Sequence, residues 1–162
     1  MLVQQSHRDG LLVAVVDDFH ERLAEAVVFA HIEAGTWAER EHERLRRWVG
    51  FLYDDPLSSV VLGGVGDGEV AAASARRLRD AIAVGGRNMA SAQAAGEIDA
   101  DRDPELLAAA VLGGVHTTVA LALARRRRPR AERVVDELWR FIAGAVGLVE
   151  DGQLATGPGE RP

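Results

Sequence analysis

The chain has 162 residues, a formal net charge of −6, 48% hydrophobic residues and 27% charged residues. That is the profile of a single ordinary globular domain, and its acidity argues against a chain that binds nucleic acid by itself. Cysteine is absent and all 19 basic residues are arginine; the first fact excludes disulfides and thiolate metal sites, and the second fits a GC-rich genome. Aromatics make up only 5%, while Ala, Val, Leu and Gly dominate, which is the chemistry of helices in close approach. No basic, then apolar, then small-residue signal sequence opens the chain, so a cytoplasmic location is expected.

In chain order, Ser6 and Asp9 fit a loose capping box. Leu12, Val15, Val16, Phe19, Leu23, Val27 and Ala30 then recur near the helical period, with Asp17, Asp18, Glu21, Arg22 and Glu25 on the polar side. Gly35 ends this helix, and His31 near its end reads as a partner for the helix dipole. Thr36 and Glu39 make a second capping box. The next helix starts densely charged and finishes with Trp48, Phe51, Leu52 and Tyr53, before Asp54, Asp55 and Pro56 break it. Leu57–Leu62 is read as a short helix. Gly64, Gly66 and Gly68 read as a flexible loop, since no βαβ setting is present to make them a phosphate cradle.

Asp67 fits as the cap of a long helix from Glu69 to about Ala95, with Val70, Ala73, Leu78, Ile82, Met89 and Ala92 facing inward. Gly85 and Gly86 in its middle predict a kink, a close helix contact or room for a ligand. Gly96 ends it in a left-handed conformation. Asp103 as cap, Pro104 at the first position and Glu105 in the first turn start the next helix. From Leu106 to Ala124 only His116, Thr117 and Thr118 are polar. A helix apolar all round must be buried all round. Its length is near the lower limit for a membrane span, but small residues dominate it and no aromatic belt flanks it, so burial against protein is expected. Arg125–Arg128 close the helix where cations offset the dipole. The last helix spans roughly Arg130–Val149 and also reads as apolar over much of its girth. Residues 150–162 read as a disordered tail.

The stretch Gln93-Ala-Ala-Gly-Glu-Ile-Asp-Ala-Asp-Arg-Asp-Pro-Glu-Leu-Leu-Ala resembles the turn between two C-terminal helices of TetR-type (tetracycline-repressor-like) transcriptional regulators. The likeness continues through the apolar helix, the Arg-rich turn with Pro129, and Glu132 to Ile142. At the start, Arg8-Asp9-Gly10-Leu11-Leu12 with Val15 resembles the opening of the helix that follows the family's DNA-reading head. The aromatic residues that precede it in the family are replaced here by Leu2, Gln4 and Gln5.

The resemblance implies an all-α domain of about five to six helices that dimerises through its last two helices as a four-helix bundle. Residues 1–149 would form the effector-binding and dimerisation domain of a regulator, often a repressor. It implies contact with DNA only through a helix-turn-helix head outside this sequence, a homodimer, a small apolar effector, no membrane, no cofactor and no metal. The alternative is a headless dimeric protein that binds no ligand and acts by pairing with relatives.

Trp48, Phe51, Leu52, Tyr53, Ile82, Met89, Gln93 and His116 are the candidate ligand contacts, an apolar lining with a few polar groups, and Asn88 is a further polar candidate. Leu107, Val111, Gly114, Val115, Thr118 and Leu121 of the apolar helix, with Val135, Leu138, Trp139 and Ile142 of the last, are the candidate dimer contacts. Glu39, Glu41, His42 and Glu43 cluster on one helix, but a solvated charged face accounts for them better than a metal site. No arrangement of nucleophile, base and acid can be defended, so no enzyme is expected.

Overall fold

In the computed structural model the described residues are 2–28, 32, 35–63 and 69–148. They form six α-helices: α1 (Leu2–Leu23), α2 (Trp37–Asp54), α3 (Ser58–Leu62), α4 (Glu69–Ala94), α5 (Pro104–Ala124) and α6 (Ala131–Val146). No strand occurs among these residues; Ile98 and Leu148 make one isolated antiparallel bridge. The Gly64–Gly68 loop, Asp67, His31 and the tail 150–162 lie outside the described residues.

The first helix differs from its expected limits. It starts at Leu2 and passes through Ser6 without a break, so Ser6 is not its cap. It loosens into a π-helical turn at Ala24–Val28, and Ile32 is no longer helical. The second helix starts as the sequence predicts. Thr36 Oγ1 accepts from the Glu39 backbone N–H at 3.2 Å, and Glu39 accepts from the Thr36 N–H at 2.9 Å, which satisfies two donors that a helix start leaves open. These hydrogen bonds to the Thr36 and Gly35 backbone and the Thr36 hydroxyl hold the Glu39 carboxyl below its usual range.

The core is one cluster in which Phe19, Trp37, Val49, Leu52, Ile98, Val119 and Val146 are almost fully buried. α4 and α5 pack as an antiparallel pair. A Cβ at Gly85 would lie 3.3 Å from the Ala108 Cβ, and one at Gly86 would lie 3.3 Å from the Glu105 Cα. The two glycines therefore mark a close helix contact, and α4 runs through them unbroken.

The turn from Gly96 to Asp103 fastens four helix ends together. Gly96 adopts φ 75°, the left-handed geometry that Gly tolerates after a helix. The Gln93 side-chain amide donates to the Asp99 carbonyl at 2.9 Å and to the Arg102 carbonyl at 2.8 Å. The Glu97 carboxylate accepts from the Trp37 N–H at 2.9 Å, an otherwise open donor at the start of α2. The Asp99 N–H donates to the Val146 and Gly147 carbonyls, both at 3.1 Å, where α6 ends. Gly147 has φ 60°, and a Cβ there would fall 2.8 Å from the Asp99 Cβ, so conformation and space both require glycine. Asp103 Oδ1 then accepts from the Glu105 and Leu106 N–H groups at 3.0 and 2.9 Å, ahead of Pro104 at the first position of α5.

At the opposite end of the bundle, the Tyr53 hydroxyl donates to the Pro129 carbonyl at 3.1 Å and ties α2 to the α5–α6 turn. Arg128 Nε donates to the Leu123 carbonyl at 3.1 Å, closing one of the free acceptors at the end of α5. Arg22 pairs with both Asp18 and Asp55 and lies 5.9 Å from the centroids of Phe19 and Phe51. Burial pushes the Asp55 carboxyl up, but Arg22 and the Leu57 N–H together bring it below its usual value.

Candidate functional sites

Two surfaces stand out once the core is accounted for: an apolar strip on α5 and an open groove between α1 and α4. On α5, Leu107, Ala108, Val111, Val115, Val119, Ala122 and Leu123 are buried. Leu106, Ala110, Gly113, Thr117, Leu121 and Ala124 are exposed, and their steps of four and three keep them on one side of the helix. Leu106 is 71% exposed and Leu121 56%. Phe141 of α6 extends the strip: a Cβ on Gly114 would come 3.0 Å from its Cε1 atom, so the ring lies across Gly114, and Phe141 itself is 45% exposed. By length and composition α5 could cross a membrane, with a mean hydropathy of 2.0, and 39% of that window is buried inside the chain.

The expected dimer contacts divide between the two sides of this geometry. Leu107, Val111, Val115, Val135, Leu138 and Ile142 are buried in the chain's own core, so they are already covered and cannot form an outer face. Trp139 is half-buried, its ring 4.9 Å from that of His42. Gly114 is half-buried beneath Phe141, while Thr118 and Leu121 are exposed. The open apolar face is thus rotated round α5 from the predicted one. α6 is less apolar outside than its sequence implied: Glu132, Arg133, Asp136, Glu137 and Arg140 occupy its outer side.

The expected ligand contacts do not converge on a cavity. Leu52 and Met89 are buried core residues, and Trp48, Phe51 and Tyr53 pack against that core. The Phe51 ring meets Phe19 edge-on at 5.6 Å. Ile82 is half-buried on α4. Gln93 is committed to the Gly96–Asp103 turn, and Asn88 donates to Glu41 at 3.0 Å. Leu78, placed inward by the periodicity, is 49% exposed. The charged cluster on α2 is spent on local pairs: Glu41 with Arg44, and Glu43 with Arg46 and Arg47, both at 2.7 Å. Hydrogen bonds from Arg46 and Arg47 lower the Glu43 carboxyl to about 2. Among the described residues no group of three His, Asp or Glu side chains is placed to hold a metal.

The groove is absent from the expectations drawn from sequence. It is open, about 530 Å³ in volume, and lined by Asp17, His20, Glu21, Leu23, Ala24 and Arg77. Asp17, His20, Glu21 and Ala24 share one side of α1 and its π-helical extension through steps of three and four; that spacing was the available signal, and it reads equally well as a solvated face. Arg77 reaches from α4 to pair with Asp17 through Nη2. Its other terminal nitrogen, Nη1, is buried and has no hydrogen-bond partner. Burial lowers the His20 pKa, Arg77 and His116 lower it further, and Asp17 opposes them. His116, exposed on α5, is therefore close enough for its charge to reach the groove. Neither family models nor curated proteins nor solved structures yield a match to this chain.

Proposed function

We propose that this chain is the small-molecule-sensing and dimerisation domain of a TetR-type transcriptional regulator, working in the cytoplasm. The observation that carries this reading is the apolar strip of α5. It remains open after the chain has buried its own core, and it lies on the helix pair through which the resembling family dimerises. A second copy related by two-fold symmetry would present the same strip, so one surface serves both partners. Ala110, Gly113 and Gly144 permit close approach there, and the first two are exposed on the strip itself.

Sensing would act by differential affinity: a ligand that prefers one of two arrangements of the helices shifts the balance toward it. The open groove between α1 and α4 supports such a role, because a ligand there would touch both helices. DNA contact would belong to a helix-turn-helix head outside residues 1–162. A thermal-shift screen with hydrophobic compounds tests the sensor reading. Stabilisation that grows with ligand concentration supports it, and a flat response across the screen sinks it.

The second reading, a dimeric interaction protein without a ligand, is favoured by one observation. Leu52 and Met89, expected to line a pocket, are instead packed into the core. A dimer that no compound stabilises would decide for it.

A further inference from the structure

The two ends of α5 carry opposite charge, which constrains how a second copy can lie on the apolar strip between them; that a second copy lies there at all rests on the dimerisation reading. At the start of the helix Asp101, Asp103 and Glu105 are exposed, and at its end Arg125, Arg126, Arg127 and Arg128 are exposed. Along its outer side α5 is therefore acidic, then apolar from Leu106 to Ala124, then basic. Arg128 bonds the Leu123 carbonyl at the helix end. Among the described residues the ion pairs flanking α5 join Arg102 to Asp99 and Arg130 to Glu132, which leaves Glu105, Arg125, Arg126 and Arg127 available to a partner.

Two copies lying parallel would set arginines against arginines and carboxylates against carboxylates, and like charges brought together at an interface oppose association. Two copies lying antiparallel bring each basic end to an acidic one. The strip also matches itself in that direction. Reversal about position 115 sets Leu106 against the partner's Ala124, Gly113 against the partner's Thr117, and Ala110 beside the partner's Leu121. Each larger side chain thereby meets a small one, the alternation by which facing helices interdigitate. The same register sets Arg125 against the partner's Glu105 and Arg127 against the partner's Asp103. We infer that a second copy of this chain docks antiparallel on α5, with the arginines that end each helix paired to the carboxylates that start the other.

Sedimentation equilibrium of the full chain tests the charge pairing. Arg125→Glu and Glu105→Arg should each weaken the dimer about tenfold, because each replaces two ion pairs by two like-charge contacts. Both substitutions in one chain should restore the wild-type affinity. The two positions lie about 30 Å apart along one helix, so that recovery has to come across the interface. Both are exposed, and circular dichroism should show unchanged helicity. Raising NaCl from about 50 to about 500 mM should weaken the wild-type dimer, since exposed ion pairs are screened.

Cross-linking tests the direction independently of the charges. The chain has no cysteine, so introduced thiols report alone. A short bismaleimide should join Leu106→Cys chains to Ala124→Cys chains in a mixture and should join neither variant to itself. Self-linking of either variant, wild-type affinity in both single charge variants, or a double variant no tighter than the single ones would overturn antiparallel docking, and a wild type still dimeric would keep the dimerisation reading. A monomeric wild type would sink both.

Discussion

α5 and α6 look alike in sequence and behave differently in the fold. Both carry long apolar stretches between polar turns. In α6 the apolar residues Val134, Val135, Leu138, Ile142 and Val146 all turn inward, and charged side chains cover most of the outside. In α5 an inner apolar face is matched by an outer one from Leu106 to Ala124. The difference lies in the period. α6 confines most of its apolar residues to one face, as a helix at the surface of a monomer does, whereas after its first turn α5 has only His116, Thr117 and Thr118 as polar side chains to turn to water. One helix therefore hides most of its apolar residues within the chain, and the other leaves an apolar strip exposed.

The comparison can be broken most severely from the inside. Val115 is buried, and Val115→Glu places a carboxylate where nothing pairs with it; circular dichroism should show no cooperative folded state. Leu138→Ala removes a buried side chain of α6 and should cost about 2–5 kcal/mol in urea denaturation, showing that α6 is stabilised within one chain. Substitutions on the two outer faces should then part company. Leu121→Glu on α5 should lower the molecular mass in solution while the helical content holds. Glu137→Lys on α6 should leave the mass unchanged, and a fall in mass equal to that of Leu121→Glu would mean that the two helices share the interface equally.

Smaller effects sharpen the local account. Asp103→Ala removes the cap of α5 and should cost about 1 kcal/mol, measured as a shift in urea midpoint at unchanged slope. Acid should also act through Glu43, whose carboxyl is lowered to about 2. A depressed carboxylate contributes stability above its unfolded pKa and loses it as pH falls through the folded one. The contribution should therefore be complete above about pH 4.5 and decay toward pH 2, and Glu43→Gln should flatten the stability profile in that window. Because the pair is partly exposed, the change should be modest.

Much of this fold was legible in the chain because its signals are local. The Thr36–Glu39 box, the Asp103-Pro104 start and the left-handed Gly96 each depend on residues a few positions apart, and all appear as read; of the three readings open for Gly85 and Gly86, the fold takes the close helix contact. The start of α1 was misplaced because Ser6 has the chemistry of a cap without the chain reversal that makes it one. The sites were harder to see. Gln93 looked like a polar pocket group, and only the folded turn shows its amide held by two carbonyls. Arg77 and Asp17 come from distant parts of the chain, so no spacing rule joins them. The open face of α5 was misassigned because an all-round apolar helix carries no internal mark of which side its own chain will cover.

Gly113 offers the most direct test of the central claim. It sits in the middle of the α5 strip, and a Cβ placed there would meet nothing within 4 Å, so Gly113→Arg adds bulk and charge to the open face without disturbing the core. Light scattering coupled to size exclusion should find the wild type at twice the 17.4 kDa chain mass and Gly113→Arg at the chain mass, with equal helicity. A wild type already monomeric at micromolar concentration, or a variant that keeps the doubled mass, would contradict the account.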